Sequence, residues 1–367
     1  MHGRGCDRRP SLKETELDPI RYAVVGCGGI ANNYHLPGLT GIEGGEFVVA
    51  CDLVEERARE AADKFGAGGW CADYREVVGR DDLDLVCVFT KIEGHAEISV
   101  AAAEGGKHVF VQKPFARTLR EGRRMVAAAE ASGVQMLTSF MHSYFDESLA
   151  AAEWVRSGRI GRVEFMRMRN ATGNPRETVA SYGGAMMDIG AHGMALLRMV
   201  SGEDVARLVA RIDEDEPAGP PIPDPSVPDE DRPLWGGEAN AWLLYELTSG
   251  VAVSHEVQWA ARGGTSRFQL EIYGTEGSIL VRVPRTGEDL AVAFLDGEPG
   301  GESRSFKWVV PELPGTPPGH AHHRAVFDAV RRGSDGRPGE EGMAALRICE
   351  AARRSAAAGA WVNVAPA

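Results

Sequence analysis

"YAVVGCGGIANNYHLPGL", residues 22–39, decides the fold. An apolar run ends at Gly26, glycines recur at Gly28 and Gly29, and a helical pattern begins around Ile30 and Ala31. This is a G-x-G-x-x-A turn between a strand and a helix. Its glycines permit a tight turn and a close backbone approach. The helix start offers N–H groups and the positive end of its dipole to an anion such as a pyrophosphate. Alone the turn is weak evidence. Its neighbour strengthens it: a second apolar run, "EFVVACD", ends in Asp52 at about the distance where an acid takes ribose hydroxyls.

Working outward, five β-rich runs alternate with helical patterns between Ile20 and Phe140. The runs are "IRYAVVG", "EFVVACD", "LDLVCVFT", "KHVFVQ" and "VQMLTSF". Between them lie "EERAREAADKF", "GHAEISVAAAEG" and "LREGRRMVAAAEASG". Continuous rather than alternating apolar strands require burial on both faces, hence a parallel sheet with helices on each side. We therefore expect an α/β doubly wound Rossmann domain over residues 19–141 that binds a dinucleotide. Leu53 follows Asp52 where a 2′-phosphate site would need a cation or hydroxyl, so NAD is favoured over NADP. Arg57, inside "EERARE", reads as helix surface.

Beyond residue 141 the texture changes to longer β-rich segments joined by "TSG" and "GTEG", turns short enough to require antiparallel hairpins. An α+β domain with a largely antiparallel open sheet is expected over 142–367. Residues 214–237, dense in proline and acid, read as a loop, and residues 1–18 as a disordered tail.

The formal net charge of −13 argues against a nucleic-acid partner, and no apolar stretch is long enough to span a membrane. Arg8-Arg9 lacks a following apolar region, so a cytoplasmic location is expected. Six cysteines form no C-x-x-C pair; Cys27, Cys51 and Cys87 fall in or beside strand-like runs and read as buried thiols.

"VQKPFARTL", residues 111–119, puts Lys113 just past a parallel strand, where ligands of such sheets bind. A lysine there can stabilise negative charge on a substrate oxygen. In "GGAMMDIGAHGMALL", residues 183–197, Asp188 and His192 are four apart, expected on one helix face. A histidine can take a hydroxyl proton as hydride leaves the same carbon, and the carboxylate can orient it.

With the glycine turn, "DLDLVCVFTKIEGHAEISVAAAEGGKHVFVQKPFA", "VRSGRIGRV", "GGAMMDIGAHGMALLRMVSG" and the closing "HHRAVFDAVRRG" and "EEGMAALRICEAARRSAAAGAWVNV", the chain resembles the Gfo/Idh/MocA oxidoreductases. The resemblance covers nearly all of it past the tail. It implies an NAD(P)-dependent enzyme that moves hydride between nicotinamide and a sugar or cyclitol hydroxyl or ketone. His192 would be the general acid/base, Lys113 would polarise the substrate oxygen, and Asp188 would orient substrate or histidine. Thr90, His95 and Gln112 would flank the cofactor with Gly26, Gly28, Gly29, Ile30, Ala31, Asp52 and Lys113. Homodimers or homotetramers packed through the second sheet are also implied.

Three positions depart from the family pattern. Gln112 replaces a glutamate, Ala195 an aspartate, and "MHSYF" has His142 and Ser143 where relatives often carry arginines. Candidates for the substrate wall are His142, Tyr144, Asn170, Tyr182 and Trp259. "HAHH" at 320–323 begins a helix without nearby acids, so no metal site is expected. Two other readings of the same parts are an NAD-dependent glycosidase using transient oxidation and a non-catalytic dinucleotide sensor.

Overall fold

The computed structural model describes residues 18–213, 228–234, 236–262, 266–284, 293–296, 307–309, 311–334 and 336–365. The expected tail, apart from Asp18, and most of the proline-rich stretch lie outside these residues, as does Cys6.

Six short parallel strands form the first sheet: β1 (Ile20–Val25), β2 (Gly45–Cys51), β3 (Gly69–Cys71), β4 (Leu85–Val88), β5 (His108–Gln112) and β6 (Met136–Ser139). They lie in the order β3-β2-β1-β4-β5-β6, so the order reverses between β1 and β4. Strands β1, β4 and β5 are buried on both faces, as their unbroken apolar runs require. Helices α1 (Leu36–Thr40), α2 (Glu55–Phe65), α3 (Tyr74–Val78), α4 (His95–Glu104) and α5 (Leu119–Ser132) connect them. Gly66 and Gly133 end α2 and α5 in the left-handed conformation, which frees the chain to turn back to the sheet.

After α6 (Asp146–Arg156) and strand β7 (Val163–Ala171), helix α7 (Ala191–Ser201) leads into a second sheet. Its remaining strands are β8 (Val205–Asp213), β9 (Asn240–Leu247), β10 (Ala252–Gln258), β11 (Ser266–Gly274), β12 (Ser278–Pro284), β13 (Ala293–Asp296), β14 (Lys307–Val309) and β15 (Val362–Asn363). The order is β14-β13-β12-β11-β7-β10-β9-β8-β15. Hairpins β9–β10 and β11–β12 are antiparallel, while β7 and β10 pair in parallel at its centre. On β9, Ala241, Leu243, Tyr245 and Leu247 are buried, whereas Trp242 and Leu244 face outward.

Helices α8 (His320–Arg332) and α9 (Glu340–Ala358) complete the chain. Although α8 falls in the range expected for the second domain, its apolar stripe packs on the first. Val326, Phe327 and Val330 join Tyr22, Leu36 and Phe47 in one core cluster, with Phe327 5.8 Å from Tyr22. Burying an apolar stripe of this kind contributes about 1.5–3 kcal/mol per large side chain.

Candidate active site

The glycine turn builds a cradle. Gly26 has φ +98°, and a Cβ there would lie 2.6 Å from the Phe89 carbonyl carbon and the Thr90 nitrogen. Strand β4 leaves the sheet against that face, so no side chain fits. Gly28 meets the opposite condition, because a Cβ there would touch nothing within 4 Å. It faces a cavity of about 720 Å³ lined by Gly26, Gly28, Gly29, Ile30, Asp52 and Thr90 among others. Ala31 is fully buried behind the cradle.

Asp52 closes one end. Its Oδ2 accepts from the Cys27 N–H and its Oδ1 from the Val54 N–H, both at 2.9 Å. Each oxygen keeps a lone pair for a further donor. Leu53, 90% exposed, and Ile30, 41% exposed, leave apolar surface beside the carboxylate. Together, an open glycine cradle, a pinned acid and apolar lips fit a dinucleotide. Arg57 lines this cavity with Tyr74, Lys91 and Ile98. The sequence reading placed Arg57 on the helix surface and passed over the others; only their proximity to Asp52 in chain or in space could have flagged them.

Lys113 leaves β5 through a cis peptide bond to Pro114. Its Nζ donates to the Asp188 carboxylate and, at 3.2 Å, to the Asp188 main-chain carbonyl. Both side chains are more than four-fifths buried. Asp188 precedes the regular α-helix that carries His192. It lies in a π-helical turn, Met186–Gly190, that runs straight into α7. Its carboxylate is paired with the lysine.

His192 stacks on His142 with ring centroids 4.2 Å apart, and Phe140 meets it edge-on at 6.0 Å. Both imidazoles are buried, and the Nδ1 of each lacks a partner among the described residues. Burial holds His192 well below its ordinary pKa, helped by His142, Lys113 and Arg267. Burial lowers His142 to about 3, again with Arg267 and Lys113 contributing. The ammonium of Lys113 therefore acts on both rings. At neutral pH His192 is an uncharged base close to a paired cation, an arrangement able to take a proton from a hydroxyl whose oxygen the lysine holds.

The other expected residues divide. His95 is buried between two strand exits, its Nδ1 2.8 Å from the Pro114 carbonyl and its Nε2 3.2 Å from the Thr90 carbonyl; burial lowers its pKa, and the neutral ring donates to one of the two. It thereby ties the cofactor cavity to the turn carrying Lys113. Gln112 does not line the cavity; it is buried beneath it, bonded to His35 and to the Lys113 N–H. Tyr144 stacks on His322 at 4.6 Å. Asn170 is buried under α7, its Oδ1 accepting from His255 Nε2 at 2.8 Å. Tyr182 is 51% exposed beside Trp259. Trp259 cannot form a ligand wall, because it is fully buried and its N–H already serves the Pro175 carbonyl at 3.0 Å.

One supporting residue carried no signal in the sequence. Glu238, buried, accepts from the Met186 N–H at 3.1 Å and pairs with Arg353 at 3.0 Å. It caps the turn that holds Asp188.

Residues 20–140 match the Gfo/Idh/MocA oxidoreductase family with its NAD-binding Rossmann fold. Residues 148–280 match the Gfo/Idh/MocA C-terminal domain. The chain belongs to the Gfo/Idh/MocA family. Levoglucosan dehydrogenase of Pseudarthrobacter phenanthrenivorans is 27% identical over 86% of this chain and 89% of its own. The scyllo-inositol 2-dehydrogenase (NAD(+)) of Bacillus subtilis is 26% identical over 71% of this chain and 73% of its own. A solved levoglucosan dehydrogenase in complex with NADH and levoglucosan superposes with a TM-score of 0.80, at 23% identity, over 95% of this chain and 100% of that one, which shows a shared fold. As a Gfo/Idh/MocA protein the chain is an oxidoreductase with an NAD cofactor. No helix among the described residues is long and apolar enough to cross a membrane.

Proposed function

We propose that this Gfo/Idh/MocA enzyme moves a hydride between NAD and a secondary hydroxyl of a sugar or cyclitol. The observation that carries the reading is the Lys113–Asp188 pair set beside the neutral, buried His192. In the oxidative direction Lys113 donates a hydrogen bond to the substrate oxygen and His192 takes its proton, with Asp188 holding the lysine. The cofactor, when bound, accepts the hydride from the same carbon. The names of the relatives, which include levoglucosan, inositol and D-apiose dehydrogenases, support a polyhydroxylated substrate.

The test is a panel of sugars, anhydrosugars and cyclitols with NAD or NADP, read as reduced cofactor. One compound should turn over, with NAD preferred because the Asp52 carboxylate would repel a 2′-phosphate. On that compound Lys113→Met and His192→Phe should each lose about 10²-fold or more in kcat, the scale of an electrostatic or acid/base group. NAD affinity should stay within a few-fold. Full turnover by either variant refutes the assignment of the pair.

We further infer a homo-oligomer packed through the outer face of the second sheet. Trp242, Leu244 and Tyr273 stand there with 37–39% of their surface exposed. Light scattering should give two or four times the chain mass; a single-chain mass at micromolar concentration would rule this out.

A further inference from the structure

Beneath Lys113 runs a buried hydrogen-bond chain whose direction is fixed at both ends. The Lys113 main-chain N–H can only donate, and it does so to Gln112 Oε1 at 2.7 Å. That leaves the Gln112 Nε2 as the donor toward His35 Nε2, 2.9 Å away. His35 must then carry its proton on Nδ1, which donates to His323 Nε2 at 2.9 Å. His323 in turn carries its proton on Nδ1 and donates to the Gly319 carbonyl at 2.6 Å, an atom that can only accept. One assignment of protons satisfies every link, and it requires both histidines to be neutral.

The surroundings agree with that assignment. His35 and His323 are fully buried and Gln112 nearly so. His35 stacks on Phe89 at 3.8 Å and meets Phe110 and Tyr34 edge-on, with Ser139 Oγ at 3.5 Å and the His322 ring at 6.3 Å. None of these neighbours is charged at neutral pH. Space has been kept for the chain: a Cβ on Gly38 would come within 2.3 Å of His323 Nδ1. The three linked parts are the π-helical turn after the cofactor cradle (Ala31–His35), the end of β5 and the start of α8.

The chain also accounts for the departure at 112. A glutamate could accept from the Lys113 N–H, but it could not donate to His35 Nε2. The two acceptors would face each other until His35 took a second proton, because reversing both tautomers only moves the clash to His323 Nδ1 and the Gly319 carbonyl. Glutamine is the residue that matches a neutral histidine here.

We propose that His35 and His323, acting through Gln112, are positioning residues that set the main chain at Lys113 from the cofactor-cradling turn and from α8. This rests on the reading of Lys113 as the group that holds the substrate oxygen, and two measurements separate the two claims. The first needs no substrate. Long-range ¹H–¹⁵N spectra of the histidine-labelled enzyme should show His35 and His323 as neutral Nδ1–H tautomers from pH 6 to 8. An Nε2–H tautomer at either ring, or protonation of either in that range, overturns the proposal even if every variant fails to fold.

The second measurement uses the compound found in the panel. Gln112→Met removes both links and should lower kcat on the order of tenfold to a hundredfold, the scale of a slightly misplaced reacting group, with NAD affinity held. Gln112→Glu should recover turnover only where His35 is protonated. The new carboxylate raises the pKa of His35, so activity is present at low pH and lost as pH rises through the raised value, a limb absent from the parent enzyme. Parent-like kcat in Gln112→Met, or a parent-like pH profile in Gln112→Glu, also overturns it. A parent enzyme inert toward the whole panel would instead count against the role of Lys113, with the tautomer result still deciding the chain.

Discussion

Gly26 and Gly28 sit two residues apart in one turn and answer to different demands. At Gly26 a Cβ would strike the main chain of Phe89 and Thr90 and the φ of +98° is hostile to any side chain, whereas at Gly28 there is open space. Gly26→Ala should therefore destabilise the fold, by about 1–3 kcal/mol from backbone strain before any clash is counted. Gly28→Val should leave the melting temperature within a degree or two while weakening NAD by about tenfold or more, read by titration of bound cofactor. If both variants lower stability equally, the division between structural and cofactor-facing glycine is wrong. The glycines of this turn could be read directly, because a tight turn with a positive φ is a local demand, although the contact of Gly26 with Phe89 and Thr90 was not legible. Trp259 could not: nothing near it in sequence says that Pro175 and Thr178 will close over its N–H.

The elements carrying the proposed site are interrupted helices. The chain after the cradle passes through a π-helical turn, Ala31–His35, before α1, and the chain before α7 through another, Met186–Gly190. The first delivers His35 beneath Lys113; the second delivers Asp188 to its ammonium. Both stretches read as helix in the sequence, but the widened turn was not legible, because it follows from what each backbone packs against. Glu238 illustrates the same dependence. It reaches the start of the second turn from the far side of the proline-rich stretch, and Arg353 of α9 neutralises it. Glu238→Ala would leave the half-buried Arg353 with the Leu234 carbonyl but without its carboxylate, and would remove a cap, with an expected loss of about 1.5–3 kcal/mol in denaturant unfolding. A loss below about 1 kcal/mol would mean that the turn is held by its apolar packing alone.

At the scale of the whole molecule, buried histidines dominate the acid response. Burial lowers His35, His192 and His322 well below their ordinary value, His323 to about 4, and His142 and His255 to about 3. In the unfolded chain they take protons near pH 6.5. The stability they contribute is fully present above that value and is lost as pH falls toward the folded values. The slope is about 1.4 kcal/mol per pH unit for each histidine involved. Melting temperature should be nearly flat from pH 7 to 8.5 and drop steeply below pH 6; a flat profile to pH 5 would show that these rings are solvated. What the sequence alone settled was the first sheet, its glycine turn and its acid, because strand burial and turn stereochemistry are written into contiguous residues. The residues we propose to react were also visible, as a lysine after a strand and a histidine in a small-residue helix. Only the tertiary structure decided their partners: Lys113 with Asp188 across 75 positions, His35 with His323 across 288, and β7 lying parallel to β10 in an otherwise antiparallel sheet. Such pairings depend on which surfaces meet once the chain is compact, and that is settled by competition among many distant contacts that no local stretch encodes.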